Sequence, residues 1–253
     1  MYLYRYISFD IFKKVVENKS LYFVNPFECW PDEKEGLLYN AIKTKNKEQF
    51  SEISKILSGN ENKLAIVKYL EQGGVNIEQK ENIDCFGLRF QSWSKAENSE
   101  EMWKAYSDGN NSVSIEVESS ILLNLEYATN KVSGFCVEYE SALSLKTELK
   151  KIILYNTDIY DSFILKTKSK EYSFEQEYRL YVGLFDYSNN KYIGKDDEKE
   201  GIKVTIDEDI SSFISKVYCN PEASCKFKDE VGAYCSKNKL NFIRNDKIGK
   251  EDN

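Results

Sequence analysis

Residues 1–24, MYLYRYISFDIFKKVVENKSLYFV, carry the local signals that decide the fold class. Residues 2–7 alternate between tyrosines and other side chains, and this period of two predicts a β-strand. Ser8 occupies the position of a helix N-cap, and apolar residues recur with helical spacing through Phe9–Asn18. Ser20–Val24 then predicts a second strand. Strand and helix are therefore mixed from the start of the chain.

The rest of the chain continues this mixture. Further strands are predicted at residues 83–93, 112–117, 131–139, 174–184, 202–206, 215–218 and 240–243. Helices are predicted at residues 99–106, at 142–165, and from Asn220 and Pro221 to about residue 235. A charged segment at about residues 37–73 predicts a helical insertion. We therefore expect one α+β domain over residues 1–253, with flanking helices and this insertion.

The composition limits the chemistry that the chain can perform. Its 253 residues include 42 acidic and 35 basic side chains, which gives a net charge of −7, and no histidine. Without an imidazole, Ser-His-Asp and Cys-His catalytic arrangements and histidine-ligated metal sites are excluded. The acidic balance argues mildly against a broad surface for duplex DNA, but it leaves room for a local groove that holds a nucleotide or a single strand.

The cysteines and the apolar segments indicate the cellular setting. None of the six cysteines forms a Cys-x-x-Cys pair, so we expect reduced thiols and no metal. The N-terminus lacks the features of a signal peptide. No window approaches the roughly 18 apolar residues of a membrane span. These features predict a cytoplasmic protein without a membrane partner.

The segment FEQEYRL, residues 174–180, provides the main candidate for chemistry. Alternate side chains of a strand share a face, so Glu175, Glu177 and Arg179 are expected on one side. Two interpretations remain open. The face is either a solvated surface with an ion pair that adds little stability, or a cleft where one carboxylate stabilises a developing cation and the other handles the proton of an acceptor.

Arg5 lies between Leu3 and Ile7 on one face of the first predicted strand. A buried guanidinium needs an anion. That anion is either a carboxylate of the fold or the phosphate of a ligand, and the sequence favours neither.

Two further clusters are compatible with either core packing or a ligand site. The segment QSWS places Ser92 and Ser94 near the end of a predicted strand. Trp103 and Tyr106 are three residues apart and share a helix face, where they could wall a flat heteroaromatic ring. The lysines of KTKSK, residues 166–170, predict a solvated loop or a segment that attracts phosphates.

These motifs make the chain resemble known proteins. It resembles the bacterial domain-of-unknown-function family 2971 through YRYIS, KSLYFVNPFECWPDEKEG, CFGLRFQSWSKAENSEEMWKAYS, FILKTKSKEYSFEQEYRLYV and ISKVYCNPEA. It is also remotely similar to the ADP-ribosyltransferase superfamily, whose Arg-Ser-Glu branch has Arg on the first strand, Ser on a later strand and a catalytic Glu, often within Glu-x-Glu. Arg5, Ser92 or Ser94, and Glu177 occur here in that order. This resemblance implies a split mixed or antiparallel β core.

The resemblance implies that NAD is the substrate and that no metal is needed. Glu177 would stabilise an oxocarbenium-like ribose, Glu175 would orient the acceptor, and Arg5 would hold the pyrophosphate or a ribose. The remaining contacts to NAD are implied for four side chains: Ser92, Ser94, Trp103 and Tyr106.

The acceptor and the biological role are expectations from the same resemblance. A nucleic-acid base of RNA or DNA is favoured over a protein as acceptor. The expected role is that of a toxin in a toxin-antitoxin or antiphage system, with an antitoxin as partner. Three alternatives stay open: an NAD glycohydrolase, a non-catalytic binding module and a carboxylate-pair glycosidase.

Overall fold

The computed structural model describes residues 1–25, 51, 55, 88–107, 110–140, 166–186, 191–193 and 200–245. The helices expected at residues 37–73 and 142–165 lie outside these ranges, apart from Ser51 and Lys55.

The described residues form fifteen strands, five α-helices and one 3₁₀ helix. The strands are β1 Tyr2–Ser8, β2 Ser20–Val24, β3 Leu88–Ser94, β4 Ser112–Glu118, β5 Glu126–Tyr127, β6 Asn130–Lys131, β7 Ser133–Cys136, β8 Glu138–Glu140, β9 Thr167–Ser169, β10 Glu177–Gly183, β11 Phe185–Asp186, β12 Lys191–Tyr192, β13 Gly201–Thr205, β14 Lys216–Cys219 and β15 Phe242–Ile243. The helices are α1 Phe9–Asn18, α2 Glu100–Tyr106, α3 Ser119–Leu123, α4 Ile210–Phe213, α5 Cys225–Lys237 and the 3₁₀ helix Lys170–Glu175. No helix within these ranges is long and apolar enough to cross a membrane.

A nine-stranded sheet forms the centre of the fold. Seven strands lie in the order β13-β2-β3-β1-β4-β14-β15, while β10 pairs with β3 and β7 pairs with β10. Neighbouring strands of this sheet are antiparallel, except that β14 and β15 are parallel. The fold is α+β, as the sequence predicts.

The sheet splits along one edge of β3. On one edge, β3 pairs with β10 along its whole length. On the other edge, it shares one residue pair with β1, Tyr4–Ser94, and one with β2, Val24–Phe90. Because Phe90 and Ser94 are separated by roughly 13 Å of extended strand, β1 and β2 meet β3 at two distant points. A gap therefore opens between β3 and its two neighbours.

Hydrophobic clusters cover both faces of β1. Leu3, Ile115 and Val217 are fully buried on β1, β4 and β14, and Phe12 of α1 belongs to the same cluster. The opposite face carries a second, smaller cluster: Tyr4, Tyr6, Ala96, Met102, Trp103 and Tyr218. Burial of this apolar surface fixes β1 in the middle of the fold. Arg5 therefore lies on a central strand, as its pattern in the sequence suggests.

The elements predicted for residues 1–24 are confirmed. The Ser8 hydroxyl accepts a hydrogen bond from the Ile11 amide at 3.3 Å, and so caps the first turn of α1. The helix ends at Asn18, where Lys19 adopts the left-handed conformation with φ of 45° and turns the chain into β2.

The prediction of a continuous strand at residues 174–184 is wrong at its start. Residues Lys170–Glu175 form a 3₁₀ helix, and β10 begins at Glu177. Between them, Gln176 has φ of 43°, a left-handed conformation that interrupts the alternation of a strand. Glu175 therefore comes from a helix end, whereas Glu177 and Arg179 share one face of β10.

The final helix also begins later than predicted. It starts at Cys225, with the Ser224 hydroxyl as N-cap. Asn220 caps the preceding turn instead, since its side-chain oxygen accepts a hydrogen bond from the Glu222 amide at 2.8 Å. Asn220 therefore does act as a cap, but it caps a turn rather than the final helix.

Candidate functional site

A cavity of about 530 Å³ lies where the sheet splits. Its walls include residues 4–7 of β1 and residues 90–94 of β3, with side chains from β2, α2, β9, the 3₁₀ helix and β10. Consecutive residues of a strand point to opposite faces. The cavity therefore opens between strand edges rather than on one face of the sheet, and its size suits a small-molecule ligand.

Hydrogen bonds hold Glu177 at the wall of this cavity. Arg179 donates from Nε to Oε1 at 2.6 Å and from Nη2 to Oε2 at 3.0 Å. The Ser92 hydroxyl donates to Oε1 at 2.6 Å, and the Glu177 amide donates to the Tyr139 hydroxyl at 2.7 Å. Bidentate charge-assisted hydrogen bonds fix both position and orientation. The carboxylate is thus preorganised, and only 3% of its residue surface is exposed.

Glu177 is ionised at neutral pH despite its burial. Burial alone would raise the pKa of Glu177, but the Arg179 guanidinium, the Lys168 ammonium and the Ser92 hydroxyl together hold that pKa well below its ordinary value. The Glu177 carboxylate therefore keeps its negative charge at the wall of the cavity.

This lowered pKa predicts an acid-sensitive contribution to stability. A carboxyl whose pKa is lower in the folded protein stabilises it above the ordinary pKa of 4.5, and this contribution is lost as pH falls toward the folded pKa. We expect the free energy of unfolding, measured in urea, to fall between about pH 5 and pH 3, and to fall less steeply in Glu177→Gln.

The exposed Glu171 offers a matched control for that measurement. Glu171→Gln should keep the full acid dependence of the wild type. An equal slope in the wild type and in Glu177→Gln would show that this carboxylate contributes nothing to the acid sensitivity.

Glu175 lies beside Glu177 but is held by different donors. The Tyr106 hydroxyl donates to its Oε1 at 2.6 Å, and Lys168 Nζ donates to its Oε2 at 2.7 Å. The same ammonium lies 3.5 Å from Oε2 of Glu177 and 4.7 Å from the centre of the Tyr172 ring. Within the described ranges, no group of three or more Cys, Asp or Glu side chains could hold a metal ion. Lys168 and Arg179 neutralise the two carboxylates instead.

Arg5 also lines the cavity, but no described residue pairs with it in this way. In the part of the chain that the structure describes, its half-buried guanidinium makes no hydrogen bond or ion pair. Burial lowers the pKa of Arg5 to about 10, so the side chain stays charged at neutral pH. Of the two alternatives in the sequence, a structural ion pair and a ligand contact, this environment favours the ligand contact.

The two candidate serines have different roles in the geometry. Ser92 is exposed and donates to Glu177, as described above. Ser94 is buried, and its hydroxyl donates to the Glu175 carbonyl at 2.6 Å and accepts from the Ala96 amide at 2.9 Å. Ser94 therefore joins β3 to the end of the 3₁₀ helix and sets the position of Glu175.

We expect Ser94→Ala to lower the free energy of unfolding by about 1–3 kcal/mol, because it leaves two buried main-chain groups without a partner. Chemical denaturation measures this change. Ser173→Ala, at an exposed position of the 3₁₀ helix, is the control and should change stability by less than about 0.5 kcal/mol. Equal stabilities of the two variants would contradict a linking role for Ser94.

The two candidate aromatic residues of α2 lie in different environments. Tyr106 lines the cavity, and 44% of its surface is exposed. Trp103 does not line it. Trp103 is buried against Tyr6, with ring centres 4.7 Å apart, and its indole N–H donates to Asn98 Oδ1 at 2.9 Å. Trp103 therefore packs in the smaller hydrophobic cluster, whereas Tyr106 faces the cavity.

Sequence reasoning missed several polar contacts of the site. The sequence predicts that Lys168 lies in a solvated loop or in a segment that attracts phosphates, whereas Lys168 bridges the two glutamates. Gln91 was not singled out. Its amide donates to the Tyr22 carbonyl at 3.0 Å and accepts from the Trp93 indole at 2.8 Å, which ties β2 to β3 beside the gap. The signal that could have identified Gln91 is its place as a polar residue within the aromatic segment RFQSW.

The family comparison covers one part of this site. Residues 102–180 match the family described as Protein of unknown function (DUF2971). The DUF2971 match spans less than a third of the chain, and it supports the family resemblance over that stretch. It includes Tyr106, Lys168, Glu175, Glu177 and Arg179, which line the cavity. No curated protein and no solved structure matches the chain significantly.

Proposed function

We propose that the chain is an NAD-dependent ADP-ribosyltransferase with an ADP-ribosyltransferase-like split β core. The observation that carries this proposal is one cavity with two charged groups across the gap in the sheet: Arg5, a cation that pairs with none of the described residues, and Glu177, a preorganised carboxylate. A dinucleotide offers the complementary groups, namely a pyrophosphate and a ribose that develops positive charge.

The reaction breaks the bond between C1′ of the ribose and the nicotinamide nitrogen. Nicotinamide leaves with the electron pair and becomes neutral, so this step needs no general acid. An acceptor nitrogen or oxygen then forms a bond to C1′ and releases one proton to solvent. The products are the ADP-ribosylated acceptor, nicotinamide and a proton.

Each side chain has a defined task in this reaction. Glu177 stabilises the oxocarbenium-like ribose, as carboxylates do in glycosidic cleavage. Arg179 and Ser92 keep Glu177 ionised and oriented through hydrogen bonds of 2.6–3.0 Å. Arg5 binds the pyrophosphate or a ribose, and the exposed ring of Tyr106 borders the nicotinamide.

The test is to incubate the purified protein with NAD labelled in its adenylate portion, together with RNA, DNA or cell lysate. We expect release of nicotinamide and transfer of label to nucleic acid. Nicotinamide release with free ADP-ribose and no labelled macromolecule would identify an NAD glycohydrolase. Absence of nicotinamide release would contradict both activities and leave a binding module.

The proposal extends to a role as a cytoplasmic toxin in a toxin-antitoxin or antiphage system. An enzyme that consumes NAD and modifies nucleic acid harms the cell that makes it, so it requires an antitoxin or tight control. Induced expression in bacteria should therefore arrest growth, and Glu177→Gln should relieve the arrest. Equal growth arrest by the wild type and by Glu177→Gln would show that any toxicity does not depend on this site.

A further inference from the structure

Glu175 has little capacity left to accept hydrogen bonds from a positively charged acceptor. One of its oxygens accepts from the Tyr106 hydroxyl and the other from the Lys168 ammonium. Only 3% of the residue surface is exposed. A guanidinium is recognised best by a carboxylate whose two oxygens are both free to accept a bidentate pair. In this site, such an acceptor would have to displace both donors.

The charges around Glu175 oppose a cationic acceptor. Among the described residues that line the cavity, two carboxylates, Glu175 and Glu177, stand against three cations, Lys168, Arg179 and Arg5, which gives this described lining one net positive charge. This local charge is opposite in sign to the net −7 of the chain. An approaching lysine or arginine side chain meets the Lys168 ammonium as a like charge, whereas phosphates and base carbonyls can accept from it.

Tyrosine rings provide surfaces for a flat acceptor. Tyr22 and Tyr106 both line the cavity, and 42% and 44% of their surfaces are exposed. Tyr172 lines it as well, next to Lys168. Aromatic side chains beside a cationic group are the usual platform for unstacked bases of single-stranded nucleic acid.

We propose that Lys168 is a specificity-determining residue. It prevents Glu175 from binding guanidinium and ammonium acceptors, and it favours an unstacked nucleic-acid base as the acceptor. This inference rests on the proposed function. The bond formed joins C1′ of the ribose to a nitrogen or oxygen of the base, the bond broken is that to nicotinamide, and the base loses one proton to solvent.

Parallel assays with a single-stranded oligonucleotide and with agmatine, a small guanidinium compound, test this role. The wild type should label the oligonucleotide and not agmatine. In Lys168→Met, we expect the ratio of oligonucleotide to agmatine labelling to fall by roughly tenfold or more, because the repelling charge is lost and one oxygen of Glu175 is freed. Nicotinamide release is measured separately in each reaction.

Three further variants make the result specific. Lys168→Arg keeps the charge and should keep the wild-type ratio. Lys170→Met removes an exposed lysine of the neighbouring 3₁₀ helix and should also keep it. Tyr106→Phe frees the other oxygen of Glu175 at an exposed position, so it should lower the ratio even if Lys168→Met does not fold.

The outcomes separate this inference from the proposed function. If the wild type releases nicotinamide and labels agmatine as well as the oligonucleotide, the proposed role of Lys168 is wrong but the proposed function stands. An unchanged ratio in folded Lys168→Met, or in Tyr106→Phe, would lead to the same conclusion. No nicotinamide release from the wild type would instead remove the proposed function, and the inference with it.

Discussion

Replacement of Glu177 by glutamine is expected to lower the rate of nicotinamide release by about 100- to 1,000-fold, the usual effect of removing one electrostatic contact to a transition state. The amide keeps the size of the side chain but not the charge that faces the developing ribose cation. Substrate binding should change less than turnover, because the interaction grows as the C1′ bond breaks. The effect should therefore appear in kcat rather than in KM.

The interpretation of this variant depends on its stability, because Arg179 is almost fully buried and loses its ion pair with Glu177. Breaking a buried ion pair by removing one partner costs about 3–5 kcal/mol. Thermal melting should accompany the kinetics, so that rates refer to folded protein. Glu177→Asp keeps the charge and displaces it, and it should also be slow.

Glu171→Gln serves as the control for the kinetics, since Glu171 is exposed on the same 3₁₀ helix as Glu175. It should release nicotinamide at the wild-type rate. Release by folded Glu177→Gln at that same rate would exclude Glu177 as the catalytic carboxylate.

Replacement of Arg5 by methionine is expected to weaken NAD binding by roughly 10- to 100-fold, the loss that corresponds to a hydrogen bond with a charged group. The same change should leave the melting temperature unaltered or raise it. Burial of the Arg5 guanidinium is not compensated by an ion pair within the described residues, so its removal relieves a cost of folding.

Arg179→Met provides the matched comparison for Arg5→Met. Both arginines line the cavity, but Arg179 is 1% exposed and paired with Glu177. We expect Arg179→Met to lower the melting temperature, in contrast to Arg5→Met. Calorimetric titration with NAD and a thermal melt measure the two properties. Destabilisation by Arg5→Met with unchanged NAD affinity would assign Arg5 a structural role instead.

The parts of the fold that the sequence predicts are those governed by neighbouring residues. The Ser8 cap, the amphipathic spacing of α1 and the alternation of β1 are local signals, and the structure confirms them. Ser99 likewise caps α2, where its hydroxyl accepts from the Met102 amide. These elements form because capping and periodic burial act over a few residues.

The split in the sheet depends on distant pairs and could not be read from any one segment. It follows from single contacts between residues far apart in the chain, Tyr4–Ser94 and Val24–Phe90. The sequence suggested a split core only through a family resemblance. Strand pairing of this kind is set by tertiary packing rather than by local propensity.

The sequence brings out several residues that line the cavity, but not how they are arranged. The cavity brings Arg5, Ser92, Glu175 and Glu177 together, but alternation alone misplaced Glu175 on a strand. The left-handed Gln176 that breaks this alternation is not a glycine or asparagine, so it carries no local warning. The sequence also allows Lys168 to be a solvated side chain. The 3₁₀ helix Lys170–Glu175 is what folds the chain back and brings Glu175 and Glu177 to Lys168.

A crystal structure of the protein with a non-hydrolysable NAD analogue tests the central claim most directly. The account predicts the analogue in the gap between β1 and β3, with Arg5 in hydrogen-bond contact with its pyrophosphate or a ribose and Glu177 beside the nicotinamide ribose. An empty gap at saturating analogue, or an analogue bound on another surface, would contradict it.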